Sequence, residues 1–221
     1  MVNSLYYLVK KEFLLVKAYL LAIILLTAAI PLFVNAQLDP IIGKSSGFLA
    51  YCLEAIFVQF LLSSSASLME SKYPKAQALL STTPYTRKLL VVAKYSFFLI
   101  IFVYSTLMFM LFSTISPKYF GEFDALVIGP VFLFLCLFIG IVVPLEYKVG
   151  YEKTKFIYSF ALVIIPFIIS RFSKLSDLLS IKRYIENIPD GLQFTLPILS
   201  GCFIAFISIC ISIAIYSKKE L

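Results

Sequence analysis

The sequence predicts an all-α membrane protein, with six transmembrane helices and an N-terminal amphipathic interfacial helix. Two observations carry that expectation. Hydrophobic residues fill 61% of the 221 positions, charged residues only 14%, and mean hydropathy is +0.98. That is more apolar surface than one globular core can bury. The apolar residues also fall into long runs, with the 19 Lys and Arg set in the short segments between them. Bases so placed orient helices in a bilayer, so the net charge of +7 does not indicate nucleic acid as a partner. The whole chain, 1–221, reads as a single membrane domain.

Residues 2–17 place Leu5, Leu8, Val9, Phe13 and Val16 at helical spacing, with Lys10, Lys11, Glu12 and Lys17 elsewhere. This predicts an amphipathic helix lying on the inner membrane surface. The first span is expected at 18–34, retained rather than cleaved as a signal peptide, because its apolar run exceeds a signal core. Asn35 to Gly47 reads as an external turn. Its Gly43-Lys44-Ser45 resembles the end of a phosphate loop, but Leu38 stands where that motif needs its first glycine.

The second span, 48–68, ends in Ser63, Ser64, Ser65, Ala66 and Ser67, either a close-packing face or a hydroxyl-lined path. Glu54 and Gln59 are its strongly polar side chains and the candidates for a translocation path. A carboxylate inside a membrane is a site candidate by default, although Glu54 also suits an interfacial position near the outer end. The basic stretch Met69 to Tyr95 follows, with Lys72, Lys75, Arg87, Lys88 and Lys94. Further spans are expected at 91–112, 125–143 (kinked near Gly129-Pro130), 156–170 and 194–216. Ser113 to Asp124 reads as a short turn and Pro144 to Lys155 as a compact charged loop. Arg171 to Gln193 reads as an interfacial helix.

Counting bases on alternate sides gives thirteen with the two termini and the second and fourth loops, against six opposite. Both termini and those two loops are therefore expected in the cytoplasm. Enzymatic readings find little support. Histidine is absent, so neither a Ser-His pair nor a histidine metal site can form. Asp124 and Asp190 sit at loop edges, not paired within the membrane. Cys52, Cys136, Cys202 and Cys210 all lie in apolar runs without a CxxC pair, as packing residues do.

Two motifs then point to a family. After acidic Glu70 come Lys72-Tyr73, a short helical piece from Ala76 to Leu80, Ser81-Thr82-Thr83-Pro84-Tyr85-Thr86-Arg87-Lys88, and Val92-Ala93-Lys94-Tyr95. This order resembles the loop after the second span in bacterial ABC type-2 transporter permeases, where a coupling helix precedes an "lPvsRk…aKY" stretch. Pro144-Leu145-Glu146-Tyr147-Lys148-Val149-Gly150-Tyr151-Glu152-Lys153 is similar to the "PlyfkfGyeK" segment of the same group. Glu146 departs from it, standing where an aromatic or apolar residue is more usual.

The resemblance implies short cytoplasmic coupling helices that contact an ATPase, with Lys75, Ala76, Leu79, Leu80, Glu146, Tyr147, Gly150 and Glu152 as the coupling residues. Pro74 suits a helix start, and Ala76, Leu79 and Leu80 give an apolar face for a groove. The chain lacks a GxxxxGK[ST] stretch, so it would hold no cofactor itself. ATP and Mg would sit on a separate ATPase subunit. Six spans are few for a complete exporter, which implies a second permease copy or a paralogue. Similarity to small six-span permeases of peptide toxin and bacteriocin export and immunity suggests amphipathic or hydrophobic cargo, moved out across the bacterial plasma membrane. A non-transporting scaffold or immunity subunit is the alternative.

Overall fold

The computed structural model describes residues 2–42, 46–73, 86–120, 123, 125–157, 159–160, 164 and 189–218. Among these every regular element is helical. In chain order they are α1 (Val2–Leu15), α2 (Lys17–Ile42), α3 (Ser46–Lys72), α4 (Arg87–Ile115), the single turn α5 (Pro117–Phe120), a 3₁₀ turn (Ala125–Val127), α6 (Ile128–Val149) and α7 (Asp190–Ser217). Five stretches among the described residues are long and apolar enough to cross a bilayer: Lys17–Ala36, Ala50–Lys72, Arg87–Ile115, Ala125–Val149 and Gly191–Ser217. The expected fifth span at 156–170 falls largely outside the described residues, as does 171–188 of the expected interfacial helix. Residues 190–193 of that segment already belong to α7.

Helices run past several expected boundaries. Asn35 to Ile42 is helical and not part of an external turn. Buried Asn35 donates from Nδ2 to the Tyr119 carbonyl at 3.0 Å, which fastens the end of α2 to α5. At the start of α4, Thr86 adopts an extended conformation and its hydroxyl accepts from the Leu89 amide at 3.4 Å. That N-cap starts the helix at Arg87 instead of Val91 and draws Arg87 and Lys88 out of the expected loop. Likewise α6 continues to Val149, so Pro144, Glu146 and Tyr147 are helical, and the chain breaks only at Gly150, whose φ of 89° suits glycine.

Two prolines act differently from expectation. Pro130 sits in the first turn of α6, where no intrahelical partner awaits its missing N–H, so it need not kink the helix. Pro144 lies inside α6 and leaves the Gly140 carbonyl without its usual donor. The Ser208 hydroxyl of α7 supplies one at 2.9 Å. A proline within the membrane is thus satisfied by a neighbouring helix.

Helices α6 and α7 pack closely and in parallel. Gly129 lies against Phe194 and Pro197, Gly140 against Ile204 and Ser208, and Gly201 against Phe132, while Tyr147 meets Tyr216 at the far end with ring centroids 4.9 Å apart. Two apolar clusters complete the bundle. One gathers Val34, Tyr51, Phe60, Phe102, Phe109 and Leu135 toward the α5 end, and the other Val16, Val58, Val91, Phe97, Phe98 and Val143 toward the α1 end. Helix α1 docks on the second cluster, with Phe13 edge-on to Phe97 at 5.0 Å.

The glycines give a graded test of this packing. A Cβ at Gly201 would come within 2.9 Å of the Phe132 ring, whereas one at Gly140 would meet only ordinary contacts at 3.5 Å or more. Gly201→Ala should lower the thermal midpoint in detergent, by about 1–3 kcal/mol of overpacking. Gly140→Ala should leave it unchanged or raise it, since alanine is the better helix former.

Candidate functional site

At the α1 end, side chains from four helices build a buried ionic network. Lys94 is the seventh residue beyond Arg87, so its Cα lies about 10 Å inside α4. At that depth an ammonium needs counter-charges. Its Nζ lies 2.8 Å from Glu146 Oε1 of α6, 3.6 Å from Glu70 Oε2 of α3 and 3.2 Å from the Ser67 hydroxyl. Glu70 also accepts from Lys11 Nζ of α1 at 2.7 Å, and Lys11 reaches Glu12 at 2.9 Å. The Tyr147 ring lies 5.5 Å from Lys94 Nζ, a cation–π distance, and packs against Tyr216.

The network explains the inward face of α1. Leu8, Glu12 and Val16, at i, i+4 and i+8, are all buried, whereas Tyr6, Tyr7 and Leu14 are exposed. The expected separation of an apolar stripe from Lys11 and Glu12 therefore does not hold, because the charges of Glu70 and Lys94 draw both residues inward. Burial, then the negative charge of Glu70, pushes the Glu12 carboxyl up from 4.5 to about 7, against the opposing pull of Lys11 and Lys94. Burial also works against the Lys11 ammonium, but Glu70 and Glu12 outweigh it and hold its pKa above 10.5.

Beside Lys94, the Tyr95 hydroxyl bonds to Ser208 and, at 3.1 Å, to Ser212 of α7. Since Ser208 donates to the Gly140 carbonyl, the polar chain runs from α4 through α7 to α6. At the helix ends, Arg87 donates to the Tyr216 and Ser217 carbonyls at 3.2 and 3.0 Å, partnering the last turn of α7. The Lys94-Tyr95 dipeptide therefore ties α4 to three neighbours, the lysine joining α3 and α6 and the tyrosine joining α7.

Of the residues singled out from sequence, Glu146 and Tyr147 enter the network. Gly150 ends α6 directly below it, and a Cβ built there would meet nothing within 4 Å, so its role is conformational. Glu152 is exposed and pairs with Lys155 at 2.6 Å, apart from the network. Lys75, Ala76, Leu79 and Leu80 lie outside the described residues. The serine-rich end of α3 packs: Ser63 donates to the Gln59 carbonyl, Ser64 bonds Tyr151 at 3.0 Å, and Ser67 meets Lys94.

Glu54 and Gln59 are both fully enclosed within the bundle. Neither side chain has a hydrogen-bond partner among the described residues. Five positions apart on one helix, they point about 140° from each other and do not share one polar path. Sequence reasoning did not pick out Lys11, Glu12, Ser208 or Ser212 as partners. The available signals were a carboxylate on the Leu8–Val16 stripe and two serines at i, i+4 within an apolar run.

Several helices long and apolar enough to cross a bilayer, tied together by a charged network, place the protein in the class of polytopic helical membrane proteins. The chain is a member of the ABC-2 family transporter proteins, whose sequence profile matches residues 7–217. It is thus a permease subunit of an ABC transporter, and the family implies a membrane environment for it and an ABC ATPase as its partner. Neither the curated proteins nor the solved structures contain a match.

Two outcomes test the network. Lys94→Met should destabilise strongly, by about 3–5 kcal/mol, because it removes the ammonium facing the buried Glu146 carboxylate. Adding Glu146→Gln should recover part of that loss, giving a double-mutant coupling of about 1–3 kcal/mol in thermal or denaturant unfolding. Because the Glu12 carboxyl is raised, the folded state binds the extra proton, so its contribution is full below pH 4.5 and is lost as pH rises through about 7. Glu12→Gln should flatten the stability profile over that window and exceed the parent protein above it.

Proposed function

We propose that the chain is the permease subunit of an ATP-driven exporter, moving amphipathic or hydrophobic peptides, toxins or antimicrobials out of a bacterial cell. A separate ATPase holding ATP and Mg supplies the energy, and this chain is not itself catalytic. It sits in the plasma membrane with both termini in the cytoplasm and works with a second permease copy or a paralogue around the path. The parallel course of α6 and α7 supports a sixth span at 156–170, since the chain must return across the bilayer between them.

The observation that carries this reading is the position of the Lys94 network. Glu70 stands three residues before the segment at 73–85 that holds Lys75, Ala76, Leu79 and Leu80, and Lys94 lies just beyond it. Glu146 lies four residues before Gly150. Force applied by an ATPase to either segment therefore reaches the same ammonium through α3, α4 or α6. Glu146, unusual at its position, is the acid that joins α6 to this junction.

Reconstitution with the cognate ATPase tests the proposal. Leu79→Ala with Leu80→Ala should abolish assembly. Tyr147→Ala should keep assembly yet lower cargo-stimulated hydrolysis about tenfold, because it loosens the contact between Lys94 and the end of α7. Unchanged hydrolysis in both would sink coupling through these segments and favour a non-transporting scaffold or immunity subunit.

A further inference from the structure

Between α3, α4, α6 and α7 lies a cavity of about 190 Å³ that the ionic network does not use. Its wall includes Gln59 of α3, Phe98 and Phe102 of α4, Phe132 and Cys136 of α6 and Ala205 of α7. Leu99, also in the wall, is 54% exposed, so the cavity opens sideways at the outer surface of α4. Gln59 stands mid-way along α3, about 20 Å from either end of that helix. Its side-chain nitrogen and oxygen both lack partners among the described residues, although the residue is only 2% exposed. Leaving a buried amide unsatisfied is costly, and the rest of the wall is mostly rings and aliphatic groups, with Tyr95, Ser96 and Cys136 carrying its other polar atoms.

We infer that this cavity binds an amide-bearing apolar segment of the cargo, a peptide bond flanked by aromatic or aliphatic side chains, which pairs reciprocally with the Gln59 amide once that side chain turns from its enclosed position into the space. The inference rests on the export reading and specifies its cargo chemistry. A glutamine amide offers donor and acceptor together, and a peptide group presents the complementary acceptor and donor. An acyl chain would fill the same space but leave both Gln59 groups bare. A dry cavity of about 150 Å³ already accepts a benzene, so an aromatic side chain fits here beside its own peptide bond. The sideways opening lets such a segment enter from the hydrocarbon layer, where greasy peptides partition.

The test uses the full chain in lipid nanodiscs without ATPase, and three photoreactive probes. These are N-acetyl-p-benzoylphenylalanyl-leucinamide, the analogue with an ester in place of its central amide, and a photoreactive fatty acid. The peptide should label the Phe98–Phe102 and Phe132–Cys136 walls saturably, and the ester should bind about tenfold more weakly, equivalent to about 1.4 kcal/mol. Gln59→Leu should erase that preference while leaving the thermal midpoint unchanged or higher, because it removes two unsatisfied polar atoms. Cys136→Phe, which fills the space and keeps Gln59, should block labelling. Fatty-acid labelling of these walls as strong as the peptide's, or an amide preference that survives Gln59→Leu, would overturn the inference. Failure of export is read separately: peptide labelling that persists where hydrolysis is uncoupled leaves the site intact in a protein that does not transport.

Discussion

The ammonium of Lys94 is the constraint around which the bundle is arranged. It sits inside a helix whose surroundings are apolar, where Glu146 and Glu70 approach it from two other helices and supply counter-charge. Each carboxylate is in turn tolerable because of the lysine, and Glu70 shares itself with Lys11. Charges balanced this way fix mutual positions more sharply than apolar packing, since a leucine can slide along a neighbour at little cost while a stranded charge cannot. The adjoining Tyr95 adds a second tie through hydroxyls.

This arrangement also accounts for the docking of α1. A helix with exposed Tyr6, Tyr7 and Leu14 and buried Glu12 looks inverted by the usual rule that apolar faces turn inward. The rule yields here because an apolar outer face is acceptable beside lipid and the inner face meets a charged partner. The short basic helix thereby becomes an integral side of the junction between α3 and α4.

Much of the fold was legible from the sequence, because a run of twenty apolar residues has few uses other than crossing a bilayer. Five of the expected spans correspond to helices among the described residues. The errors fell at helix ends, where Lys88, Glu146 and Lys148 were expected in loops for being charged. Whether a charge marks a loop or a buried pair depends on the partner across the bundle, and no single segment contains that information. Glu54 and Gln59 stood out because their chemistry conflicts with their segment. Their separation onto different faces followed only from the helix geometry, and the match between Ser208 and the Gly140 carbonyl required both helices in place.

Pro144 deletes one rung from the hydrogen-bond ladder of α6, and the rung is replaced from outside by Ser208. A helix with a missing rung is ordinarily free to bend there, but bending this one would withdraw a carbonyl from its donor in a medium with no water to replace it. Helix α7 therefore acts as a splint on α6 at the point where the proline weakens it. The splinted pair meets α3 and α4 along the seam that holds the Gln59 cavity, so α6 is braced at its weak point next to an open space between these helices.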